Sequence, residues 1–85
     1  MIIIELSTLQ HYPEDFCSHV KNFGLFATRE AAEKRAAEYL AEVEAEKQRF
    51  ESGKSFLGPD FWKFFYCVDD YGHVPIYYKE VFVAE

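Results

Sequence analysis

The stretch Gly24–Phe50, GLFATREAAEKRAAEYLAEVEAEKQRF, decides how the rest of this 85-residue chain can fold. It reads as the end of a strand, a cap and one long helix. Thr28 holds the N-cap position, where its hydroxyl can accept from an N–H of the first turn. Glu30 and Glu33 follow, near the positive end of the helix dipole. From Thr28 to Ser52 there is neither Gly nor Pro, and Ala, Glu, Lys, Arg and Leu dominate. Ala32, Ala36, Tyr39, Leu40, Val43 and Phe50 recur at three- and four-residue steps, which makes one apolar stripe. Ser52-Gly53 ends the helix.

Outward from the helix, both flanks read as strands. Ile2, Ile3, Ile4 and Leu6 form a first strand whose consecutive apolar positions suggest burial on both faces, hence an interior place. Ser7 to His19 reads as a loop, with Pro13, Glu14-Asp15, Tyr12 and Phe16. Val20 to Phe26 is a second strand, antiparallel to the first. Beyond the helix, Glu51 to Asp60 is a loop punctuated by Gly53 and Gly58-Pro59. Phe61 to Val68, FWKFFYCV, reads as a third strand from its sheet-favouring residues. Asp69 to His73 turns the chain, with Gly72 suited to positive φ. Ile76 to Val83 is a fourth strand, and Pro75 before it fits an edge.

The predicted fold is α+β in a single domain, residues 1–85. The order is β-β-α-β-β, a four-stranded, mostly antiparallel sheet with one long helix on one face. Gly24-Leu25-Phe26-Ala27-Thr28-Arg29-Glu30-Ala31-Ala32, continuing to Leu40, resembles a strand–cap–helix–hairpin module of small uncharacterised bacterial and phage domains. The resemblance implies this architecture and a phage or mobile-element accessory protein. It brings no activity with it.

Composition narrows the function classes. A net charge of −6 opposes a phosphate-tracking surface, because nucleic-acid affinity comes from clustered Lys and Arg, and the nine here are scattered. The same charge opposes an anionic membrane. The N-terminal Met1-Ile2-Ile3-Ile4-Glu5 has no signal-peptide pattern, so a cytoplasmic protein with free Cys17 and Cys67 is expected. His11, Cys17, His19, Cys67 and His73 lack the paired spacing of a structural metal site. Glu14-Asp15 and Asp69-Asp70 sit in loops, where Asp commonly satisfies backbone donors. No phosphate loop, nucleophile elbow or zincin helix is present. Neither an enzyme nor a cofactor is expected.

The aromatic residues point to a surface. With strand alternation, Trp62, Phe64 and Tyr66 face one way, and Phe61 and Phe65 the other. One helix covers one face of a sheet, so the second face needs another cover. The loop residues Tyr12, Phe16, Phe56 and Leu57 are one candidate cover, and a second copy is another. The sequence therefore predicts a non-enzymatic, acidic protein-interaction module, a homodimer through Trp62, Phe64, Tyr66, Tyr77 and Tyr78 that binds or inhibits a host protein. Along the helix, Arg35, Glu38, Glu42, Glu46 and Arg49 form a charged line, read as a solvated face. An alternative makes Glu38, Glu42 and Glu46, with Asp69 and Asp70, an acidic nucleic-acid mimic. A further alternative is a small-ligand pocket under the Ser7–His19 loop.

Overall fold

Alternation along the first strand sets the layers of the molecule. The structure, a computed structural model, describes residues 1–12, 14, 17–53 and 58–84. In β1 (Ile2–Gln10), Ile4, Leu6, Thr8 and Gln10 are buried on one face. Ile3, Glu5, Ser7 and Leu9 are half-buried on the other. β1 is the middle of a three-stranded antiparallel sheet, flanked by β2 (His19–Phe26) and β3 (Tyr77–Phe82). Its interior place agrees with its consecutive isoleucines. The strand runs on to Gln10, so Ser7 to Gln10 are ladder rather than loop.

The β1–β2 register slips between Leu6 and Ser7. Leu6 pairs with Gly24 but Ser7 with Asn22, which leaves Phe23 as an extra, bulged residue. Gly24 takes φ 110° there, open to glycine and costly for other residues. The Asn22 side-chain oxygen accepts the Gly24 N–H at 2.7 Å. The bulge turns Phe23 onto Tyr39, with ring centroids 4.8 Å apart.

The long helix, α1 (Arg29–Glu51), starts where expected, and the Thr28 hydroxyl accepts the Ala31 N–H at 3.2 Å. Ala32 and Ala36 are buried, and their small side chains let the helix approach the sheet closely. Tyr39 and Val43 are buried as well, whereas Leu40, counted in the stripe, is exposed. The sheet ends near Gln10, whose side-chain amide donates to the Tyr39 hydroxyl at 3.2 Å. From there α1 runs past the sheet and packs on the segment that follows it in the chain.

The predicted third strand is a helix. α2 (Pro59–Phe65) occupies most of FWKFFYCV, so the element order among the described residues is β-β-α-α-β, with a three-stranded sheet in place of the expected four. Gly58 is the N-cap, Pro59 supplies the preset φ of a first turn, Asp60 lies at the positive end and Lys63 in the last turn. Helical spacing sends Trp62 and Tyr66 to the same side, where they join Tyr39 and Val43 in the core. The Trp62 indole N–H donates to the Val43 carbonyl at 3.3 Å. Tyr66 caps α2, and the Cys67 and Val68 N–H groups return to the Phe64 and Lys63 carbonyls at 3.2 and 2.9 Å. This is a Schellman stop with Cys67 at φ 53°, the position glycine usually takes.

The chain then turns at Asp69–His73, as read, with Gly72 at φ 84°. It returns through Pro75, whose carbonyl accepts the Thr8 hydroxyl, into β3. The result is long, 51 × 24 × 21 Å. Its radius of gyration is 14.9 Å, against about 12 Å for a compact chain of this length. Its accessible surface is 6078 Å², against about 5,200 Å² for a compact monomer of this mass. Val20, Leu25, Tyr77 and Phe82 are among the large apolar side chains left exposed.

Candidate functional site

That uncovered surface follows from the register. Residues directly opposite in an antiparallel pair share a face. Opposite the helix, the sheet presents four rows: Ile3 with Val81; Leu25, Glu5 and Lys79; Asn22, Ser7 and Tyr77; and Val20 with Leu9. Six of these ten side chains are apolar. Val20 is 70% and Leu25 60% exposed, and Tyr77 is exposed as well. Among these ten described residues the charged ones are Glu5 and Lys79, which lie side by side, and the Asn22 amide donates to the Glu5 carboxylate at 3.0 Å. The face is therefore close to neutral on a chain of net charge −6.

At one end the apolar surface wraps onto the helix side. Phe26 pairs with Ile4, and the chain leaves the sheet there to start α1. The next row, Ile2 with Phe82, lies beyond the helix, and Phe82 is 78% exposed.

The residues expected to form the interaction surface are distributed otherwise. Trp62 and Tyr66 are in the core, at 6% and 9% exposure, because helical rather than strand spacing turns them inward. Burial, with Glu46 as the next cause, pushes the Tyr66 phenol up to about 12. Phe64 is half-buried and stacks on the His11 ring at 4.5 Å. Tyr78 lies on the helix side, under the Arg29 guanidinium at 4.6 Å. Only Tyr77 of the five stands on the uncovered face. Phe16, Phe56 and Leu57, considered as its cover, lie outside the described residues, and Tyr12 packs on His19 and Phe65 at the other end.

The acidic line is largely engaged. The Arg35 guanidinium lies 3.8 Å from Glu42, and Arg49 donates to Glu46 at 2.9 Å. Arg35 thus reaches Glu42 two turns along the helix. Pairs this exposed contribute about 0.2–1 kcal/mol each. Asp69 serves its own turn, where its carboxylate accepts the His73 and Tyr71 N–H groups at 2.8 and 2.9 Å. These bonds, His73 first, hold the Asp69 carboxyl below its usual range. Asp70 is exposed beside it.

Two of the chemistry-bearing side chains come together. Cys67 Sγ lies 3.7 Å from His11 Nδ1, while His11 Nε2 is buried without a partner among the described residues. Burial pushes the Cys67 thiol up, and a thiol held protonated is a poor nucleophile and ligand. No group of three His, Cys, Asp or Glu able to hold a metal occurs among the described residues. Cys17 is exposed, and neither cysteine is in a disulfide. An open groove of about 360 Å³ lies against the second half of α1, lined by Leu40, Val43, Lys47, Trp62, His73 and Val74, away from the Ser7–His19 segment.

Among the described residues no helix is long and apolar enough to cross a membrane. The chain matches no protein-family model, no curated protein and no solved structure.

Proposed function

We propose that this chain is a non-enzymatic protein-interaction module that docks a protein through its uncovered sheet face. The observation that carries the reading is the face itself: six apolar side chains in register on three strands, nearly neutral on an acidic molecule. Monomers rarely leave such a surface in water, and patches of this kind mark interaction sites. The paired state of Glu42 and Glu46 and the self-satisfied Asp69 speak for docking over nucleic-acid mimicry. In this reading the protein works in the cytoplasm, as an accessory or inhibitor of phage or mobile-element type.

Leu25 tests it, being exposed enough to change without unfolding the sheet. A Leu25→Lys variant should melt like the parent, and lose both binding of a hydrophobic dye and proteins retained from host extract. Retention unchanged in the variant would defeat the reading.

A further inference from the structure

We propose that the protein docked on this face is a second copy of the same chain, sheet against sheet, about a twofold axis that runs across the strands. The inference rests on the docking reading above.

The edges of the sheet do not favour self-pairing. β2 is bulged at Phe23, a device that spoils an edge for strand addition. Two β3 strands paired across a twofold axis must set some residue against itself. At the middle of β3 that residue is Lys79 or Glu80, so like charges face each other. Association is left to the face.

Charge selects the occupant. A partner recruited electrostatically would seek the acidic regions of a −6 chain. The uncovered face holds one acid and one base, adjacent, and so offers such a partner nothing. For a second copy this neutrality is what matters, because two acidic molecules meet with least repulsion where their charge cancels.

The rows are also self-complementary. Stacked sheets lie about 10 Å apart with interleaved side chains. An axis along β1 would set Glu5 over Glu5. An axis across the strands, between the Glu5 and Ser7 rows, exchanges the two halves of the face. Ile3 then lies over Leu9 of the other copy, Glu5 over Ser7, Leu25 over Asn22 and Lys79 over Tyr77. No like charges meet, Lys79 gains an aromatic ring, and all three strands are covered. The face spans about 15 Å across the strands and about 25 Å along them. That is small beside a standard interface, so the dimer is of the weak, concentration-dependent kind.

The test uses the full chain alone. Sedimentation equilibrium over a concentration series should show the mass climbing from 10.0 kDa toward twice that value. Val20→Lys and Leu25→Lys, with unchanged circular dichroism, should stay at monomer mass. With Cys17→Ser and Cys67→Ser as background, the double variant Ile3→Cys, Leu9→Cys should be joined into a covalent dimer by a short bifunctional thiol reagent, which bridges the gap between stacked sheets that a direct disulfide does not, and Glu5→Cys should not. Monomer mass at every concentration overturns the proposal. So does a dimer indifferent to both lysines, or cross-linking at Glu5 but not at the Ile3–Leu9 pair. A monomer whose capture of another protein is lost in Leu25→Lys removes the second copy and keeps the docking reading. A monomer whose capture ignores Leu25 removes both.

Discussion

The two faces of β1 share one strand and differ in what they meet. Leu6 and Thr8 are fully buried under α1, while Ser7 and Leu9, their chain neighbours, are half in water. The difference is not one of hydrophobicity alone, because Thr8 and Gln10 lie on the buried side and Ile3 and Leu9 on the open one. The covered side tolerates its polar groups by pairing them: Thr8 donates to the Pro75 carbonyl and Gln10 to the Tyr39 hydroxyl. The open side keeps apolar groups that α1 never reaches. A face is thus made internal by the helix above it, and its own side chains then adapt.

Substitutions can break this contrast. The largest effect is expected from Leu6→Asp or Val43→Asp, which places an unpaired charge in a dry site. Either should abolish cooperative melting. Next, Trp62→Ala should lower unfolding free energy by about 3–5 kcal/mol, read from urea denaturation. An exposed strand tryptophan would cost far less, so a small value would restore the strand reading of this segment.

Alkaline pH probes the same core. Tyr66 is held protonated in the folded state, its value raised from 10.0 to about 12. A raised value stabilises fully below the unfolded pKa and is lost as pH rises through the folded one. The melting temperature should therefore fall between pH 10 and about 12, and Tyr66→Phe should flatten part of that fall. Smaller again is the strain at Cys67, whose left-handed backbone should make Cys67→Val less stable than Cys67→Gly by about 1–2 kcal/mol. Smallest of all, Leu25→Lys on the open face should shift the monomer's stability by under about 0.5 kcal/mol.

Much of the scaffold was legible in the chain. Thr28, the Gly- and Pro-free run and the alanine stripe marked α1 because helix signals there are local and agree with one another. Ile2–Ile4 gave the interior strand. FWKFFYCV reads as a strand because Phe, Trp and Tyr carry sheet propensity, which packing overrides readily. The contrary signal stood just before it, in Gly58-Pro59-Asp60, a start that suits a helix. The helix in place of a strand relocates the candidate surface. Once Trp62 and Tyr66 turn inward at helical spacing, the open face passes to Val20, Leu25 and Val81, which look ordinary in sequence. Register alone places them together, and register depends on the bulge at Phe23, which the sequence marked only by Gly24.

The strand order has a consequence for synthesis. β1 is made first and sits between β2, made next, and β3, made last; Ile2 pairs with Phe82 across nearly the whole chain. A nascent chain can form the β1–β2 hairpin and α1 early. Until the final strand leaves the ribosome, one edge of β1 stays open along an isoleucine-rich strand, ready to pair with another such edge. Translation delayed between α2 and β3 prolongs that interval, so the time between synthesis of β1 and of β3 sets how long the edge stays open.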